Sequence, residues 1–178
     1  IQLGTNTNSY INTDIRLPLL SNYAVDDAEA GVYLYAQPNW GTGNNDLFGT
    51  QTGLTDPRLR MRHRGDDNPD DWAASINGTA TINLLTETSA LPGKLWSIKA
   101  TASEAAIYEN GVAQTPTVGA QPTVPPTYSV YVGACNDRDS VLQDSRQGTF
   151  TSFYVGGAID TLTFYNRMMT FHAALGIV

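Results

Sequence analysis

Cysteine is nearly absent: Cys135 stands alone among 178 residues, so no intrachain disulfide can staple the fold. A secreted animal domain of this size more often carries a disulfide pair, which favours an intracellularly assembled, bacterial or viral origin. Cys135 closes the apolar run Val130 to Cys135 and reads as a small buried hydrophobe, not a nucleophile. Charge is sparse as well, at 15% of residues, and its balance of −7 is acidic. Such a surface repels phosphate backbones and anionic bilayers, which excludes nucleic acid as a general partner. No apolar stretch approaches the length of a membrane span and no signal-peptide pattern opens the chain, so membrane insertion is not expected. The chain starts at Ile1 and not at methionine, the expectation being a processed product, an excised domain or part of a longer protein.

Helical periodicity is scarce too. Only "MTFHAALGI" suits a short helical turn, with Thr170 as its cap. What fills the chain instead is alternation at period two. Tyr10 to Leu17 alternates until Pro18, Gly31 to Gln37 is a strongly apolar strand, and "LWSIKATA", "TYSVYVGAC" and a last strand "AIDTLTFYNR" follow. Asn77-Gly78 and Asn110-Gly111 each divide two such runs and tolerate the positive φ of a tight hairpin turn. The Pro-rich piece "TPTVGAQPTVPPTY" is a surface loop and too short to link two domains. The expectation is one all-β domain over residues 1–178, an antiparallel β-sandwich with at most a short C-terminal helical turn.

Three pieces of the second half carry a resemblance. "LWSIKATASEAAIYENGVAQ" resembles the strand and hairpin of laminin G-like, concanavalin A-type jelly rolls, with Tyr108, Asn110 and Gly111 at the tip. "YSVYVGACND" is similar to the strand that follows. "GGAIDTLTFYNRMMT" is similar to the closing strand, through Gly157, Ile159, Asp160, Tyr165, Asn166 and Arg167. Met168-Met169-Thr170 departs from the small residue and leucine usual there, and the acidic residue of the family's final turn is missing. The resemblance implies a jelly roll, in a superfamily that spans lectins, adhesion modules, glucanases and virion proteins.

Glucanases of that superfamily set paired carboxylates close together on one strand, one as acid and one as nucleophile or base. Here the four glutamates, Glu29, Glu87, Glu104 and Glu109, match no such spacing. Glu104 and Glu109 are an odd number apart and would point to opposite faces of one strand. His63 and His172 have no serine or cysteine partner at a recognisable motif, and neither a phosphate loop nor a zinc pattern is present. No catalytic activity is expected.

Binding chemistry is better represented. "GDDNPDD" (Asp66, Asp67, Asn68, Asp70, Asp71) and "NDRDS" (Asn136, Asp137, Asp139, Ser140) carry the clustered oxygens that calcium prefers, and calcium-binding relatives hold metal where rim loops converge. Asp66, Asp67, Asp70, Asp71, Asp137 and Asp139 are therefore candidate ligands; equally, Asp and Asn are simply good turn formers. Trp40 and Trp72 at loop or strand edges are candidate stacking platforms for a sugar, beside Asp66, Asp67, Asn136, Asp137 and Asp139 as acceptors, whereas Trp96 alternates into the core. Arg58, Arg60, Arg62 and Arg64 alternate along one strand with Leu59, Met61 and His63 opposite. That row suits an acidic sugar, a neighbouring protomer or structural protein, or only solvent, its stems covering apolar neighbours and its charges pairing with the aspartates that follow. Asn77-Gly78-Thr79 forms an N-glycosylation pattern within the first hairpin. Together these features point to a non-catalytic module that recognises glycans at its rim, carried by an extracellular or virion protein such as a tail fibre. The alternative is a purely architectural part acting through protein contacts and self-association.

Overall fold

The computed structural model describes residues 10–36, 44–53, 56–64, 71–79, 81–85, 93–114, 118–119, 124–142 and 149–177. In chain order the strands are β1 (Ile11–Asn12), β2 (Ala28–Ala36), β3 (Asn44–Gln51), β4 (Arg58–Arg64), β5 (Asp71–Gly78), β6 (Ile82–Leu85) and β7 (Lys94–Ala100). They continue as β8 (Glu104–Glu109), β9 (Val112–Ala113), β10 (Val118–Gly119), β11 (Tyr131–Val132), β12 (Cys135–Asp137), β13 (Ser140–Leu142) and β14 (Thr149–Gly156). A short 3-10 turn, Leu17–Leu19, precedes β2, and an α-helix, α1 (Thr161–Ala174), follows β14. The larger sheet runs β1-β11-β3-β4-β5-β6, with β12 beside β3 and β13 beside β12; the smaller runs β10-β8-β7-β2-β14, with β9 on β8. Among the described residues all pairings are antiparallel but one, β12 against β3. The two sheets stack as a jelly-roll β-sandwich.

Alternation decides which face meets which. From β2, Ala28, Ala30, Val32 and Leu34 turn inward; Leu59 and Met61 of β4, Trp72, Ala74 and Ile76 of β5, and Trp96 and Ile98 of β7 meet them. The indole rings of Trp72 and Trp96 stack 4.1 Å apart across the two sheets, a well-packed contact at the centre of the core. The opposite register of β2 is unusual for its carboxylate. Glu29 faces the outside of the smaller sheet and is fully buried. It accepts from the Tyr154 hydroxyl at 2.6 Å, Ser97 at 3.1 Å, Thr161 at 3.2 Å and the Ile159 N–H at 3.3 Å, with the Lys99 ammonium 3.9 Å away. Gly31 makes this possible, since a Cβ there would sit 2.6 Å from the Tyr154 ring that crosses it.

The sequence "AIDTLTFYNR" does not form a strand. Asp160 caps a helix of 14 residues by accepting from Thr163 N–H, and the smaller sheet closes earlier, with β14. The alternation of Leu162 and Phe164 conceals a helical row: Phe164, Met168 and His172 recur every four residues, and the first two pack with Tyr165 and Met169 on Tyr33, Leu95 and Tyr154. Leu162, by contrast, is exposed. Thr170, expected as a cap, lies inside α1 and its hydroxyl donates to the Asn166 carbonyl. The third piece of the resemblance is therefore the start of a helix and not the expected closing strand. The Asn110-Gly111 turn is as expected, with φ of 51° and 83° at its two residues. Its role is to seat α1, since a Cβ on Gly111 would meet the Leu162 backbone at 2.5 Å. The other hairpin is shifted by one residue: Ala74 opposite Ile82 centres it on Gly78.

On the larger sheet an extra residue interrupts β3. Asp46 lies opposite Arg62 and Phe48 opposite Met61, which leaves Leu47 as a bulge that is fully buried, its carbonyl accepting from Gly133 N–H at 2.7 Å. The bulge brings Asp46 onto Arg60, and the pair is bidentate at 2.6 and 2.8 Å with the carboxylate inaccessible to solvent.

Two outcomes follow from these contacts. Asp46→Ala leaves a buried guanidinium without this carboxylate and should cost about 3–5 kcal/mol in urea unfolding, while Asp46→Leu with Arg60→Met recovers most of it. At α1, the Thr163 N–H and hydroxyl hold the Asp160 carboxyl below the ordinary aspartate range. A depressed carboxylate stabilises the fold above its unfolded value, and that gain is lost as pH falls through the folded value. Acid titration of stability below about pH 4 should then fall less steeply for Asp160→Asn than for the native chain, by circular dichroism.

Candidate functional site

Of the two acidic segments, the structure describes Asn136 to Ser140 and the backbone of Asp71. Asp137 of β12 lies opposite Gln51, at the end of the larger sheet where β4 begins with Arg58. Asp71 lies opposite Arg64, at the other end of β4. Seven strand residues span about 20 Å, so Asp137 and the backbone of Asp71 lie near opposite ends of β4. Trp40, Asp66, Asp67, Asn68 and Asp70 lie outside the described residues. Among the described residues, no group of three or more His, Cys, Asp or Glu is placed to hold a metal ion.

Several candidates change character. Trp72 is buried in the core against Trp96 and His63, so it offers no platform to a sugar. Asn136 is fully buried: its amide donates to the Ser129 carbonyl at 2.8 Å and its oxygen accepts from Asp139 N–H at 2.8 Å. It shapes the turn in which Arg138 and Asp139 take positive φ. Asp137 accepts from exposed Arg138 at 3.3 Å, and Asp139 is exposed. Arg60 is not a surface cation, and it pairs with Asp46, upstream of it. A charge reversal at Arg60 would report on folding, not on assembly. Leu59, Met61 and His63 do occupy the buried face opposite the arginines. Cys135 is buried, and burial pushes its thiol far above the ordinary range, which leaves it inert. His172 finds a serine that no motif announced: its Nε2 lies 3.1 Å from the Ser152 hydroxyl, beneath α1.

The residues that do form a concave surface were not singled out by sequence. A cleft of about 400 Å3 opens at the rim of the sandwich, between the loop that enters β2 and the link from β14 to α1. Its walls are Ser21, Asn22, Tyr23, Asp27 and the Gly157–Ile159 backbone. The entry loop is fixed before any ligand arrives. Ala24 and Asp27 exchange backbone hydrogen bonds at 3.3 and 3.2 Å, closing a tight turn. The Tyr23 hydroxyl donates to Asn77 at 2.7 Å, and the Asn77 amide donates to the Val25 carbonyl at 3.1 Å. Burial pushes the Tyr23 phenol well above its ordinary value, so it stays protonated. The same two bonds occupy the side chain of the N-glycosylation pattern.

The other wall is set by glycine and by Glu29. A Cβ on Gly157 would come within 2.5 Å of the Asn22 carbonyl, so only a glycine lets the entry loop settle on this link. Asp27 accepts from Ala158 N–H at 3.1 Å, and Glu29 holds Ile159 from below. Asn22, Ser21 and Asp27 remain exposed at the mouth. Amide, hydroxyl and carboxylate beside a partly buried tyrosine supply donors, acceptors and an apolar wall within one opening. Three of the four glutamates are among the described residues. Glu29 is sequestered, Glu109 pairs with Lys94 and Glu104 is exposed on uninterrupted β8. The only sequence signal for the cleft is the pair Gly156-Gly157 after a strand, joined to Tyr23 and Asp27 by long-range contacts.

No family model and no curated protein matches the sequence. No described helix is long and apolar enough to cross a membrane. Solved structures are similar in fold. The binding domain of botulinum neurotoxin serotype D superposes with a TM-score of 0.58 at 9% identity, over 94% of this chain and 42% of the toxin domain. The CBM40 of the Ruminococcus gnavus IT-sialidase gives 0.51 at 11% identity, over 76% and 77% of the two chains. A heptameric SAP-like pentraxin from Limulus polyphemus gives 0.58 at 13% identity, over 92% and 78%. The chain thus spans less than half the length of the toxin domains it resembles, and at these identities the likeness establishes the shared jelly-roll sandwich and nothing finer.

Proposed function

We propose that this protein is a non-catalytic carbohydrate-binding module whose ligand enters the rim cleft. The cleft itself carries the reading: about 400 Å3, preorganised, and edged by Ser21, Asn22 and Asp27 beside Tyr23. That volume suits one or two sugar rings, whose hydroxyls need mixed donors and acceptors and whose C–H faces need an apolar wall. Similar folds described as a toxin binding domain and a sialidase CBM40 support a binding role over a catalytic one. So does the sequestration of Glu29, which holds Ile159 of the cleft wall from below and is closed to substrate. The setting that goes with this reading is a surface-exposed part of an extracellular or virion protein, as the acidic, disulfide-free composition suggests.

No cation is required. Asp27 is the one carboxylate lining the cleft, and one of its oxygens already accepts from Ala158, far from the six to eight oxygens that calcium takes. On a glycan array the protein should bind a saturable subset of bacterial or host glycans, unchanged by chelation. Asn22→Ala with Asp27→Asn should weaken that binding about tenfold or more without lowering the melting temperature. Silence across the array, or undiminished binding by the double variant, would remove the cleft as the site.

A further inference from the structure

The outer face of the larger sheet holds a second feature that the rim cleft does not use. A slot of about 10 Å3 opens there between Arg58, Arg60, Arg62, Ser75 and Thr81. It is large enough for a single oxygen atom and too small for a sugar ring. Arg60 is neutralised by Asp46. Arg58 is not: its Nη2 donates to the Thr79 carbonyl at 2.6 Å and to the Thr81 hydroxyl at 3.0 Å, both uncharged, while its Nε is buried without a partner. No carboxylate among the described residues pairs with it. On its other side, across from it in register on β3 and outside the slot's lining, stands Gln51, fully buried, with neither its amide nitrogen nor its amide oxygen bonded. Asp137, on the far side of Gln51, is held by Arg138.

A buried amide with both ends unsatisfied beside an unsatisfied guanidinium N–H is costly, and such groups call for a partner, a water or an ion. Arg58 Nε and the Gln51 amide nitrogen are both donors, and the net positive charge belongs to Arg58, so the complementary group is an anionic oxygen. Burial and the neighbouring Arg60 charge lower the Arg58 guanidinium from its ordinary value, which is the strain a bound anion would relieve.

We propose that Arg58 and Gln51 form a second subsite that receives one oxygen of a carboxylate or sulfate borne by an acidic saccharide. The saccharide part of this statement rests on the glycan reading above; the anion part does not. A saccharide is favoured over an acidic peptide because Arg58 and the cleft lie toward one end of the sandwich. Arg58 lies opposite Gly78, and the adjacent Asn77 holds Tyr23 of the cleft.

The test is a side-chain 1H–15N titration of the whole chain with glucuronate, with sodium sulfate and with glucose, at ionic strength fixed by sodium chloride. Saturable shifts of the Arg58 Nε–H and Gln51 amide signals with either anion, and not with glucose, are expected. A response to glucuronate alone assigns the site to uronic acids, and one to sulfate alone to sulfated sugars. Arg58→Gln should weaken the anion about tenfold, and Gln51→Met, which keeps the volume, should do so if Arg58→Gln fails to fold. Asn22→Ala should leave this response intact, so failure of the cleft is scored separately. Signals that ignore both anions, or that move equally with glucose, would overturn the proposal and leave ordered water as the occupant.

Discussion

A carboxylate without access to water organises the smaller sheet. Glu29 could be tolerated on the outside of β2 only if its oxygens found donors there, because an isolated buried charge costs far more than the fold can spare. The donors come from neighbouring strands and from the chain that follows β14: Ser97, Tyr154, Ile159 and Thr161, with Lys99 supplying the countercharge. The Lys99 ammonium also donates to the Ile159 carbonyl. Their convergence fixes the direction in which the chain leaves the sheet, and so where α1 begins. The rim cleft inherits this rigidity, because Ile159 belongs both to the network and to the cleft wall.

The two outer faces solve the same problem differently. The smaller sheet hides Tyr33 and Leu95 under Met168 and the aromatic residues of α1. The larger sheet has an arginine strand instead, and a bulge at Leu47 puts Asp46 within reach of the most buried guanidinium. Alternate arginines are thus not equivalent. One is a brace inside the sheet, and another, Arg58, is bonded only to neutral oxygens. A row of like charges in sequence becomes a graded set of environments once neighbouring strands are in place.

What could be read in the sequence was what depends on near neighbours. Period-two alternation identified β2, β4 and β7 and the core positions of Leu59, Met61 and Trp96, and the Asn110-Gly111 turn followed from backbone preference alone. The site was not legible, since Tyr23, Asn77, Asp27 and Gly157 meet only through contacts spanning many tens of residues. Two departures have a physical cause. The acidic residues before Trp72 suggest an edge, yet strand alternation turns it inward. The C-terminal segment alternates for only four residues before its every-fourth pattern emerges, and the short window hid a helix that the Asp160 cap begins.

Cys135 packs beside the backbone of β3, its sulfur 3.0 Å from where a Cβ on Gly49 would be. A thiol so enclosed meets neither glutathione nor oxidant while the fold persists. The covalent structure of the native chain is therefore the same under reducing and oxidising conditions, and the module is portable across redox compartments without gaining or losing a bond.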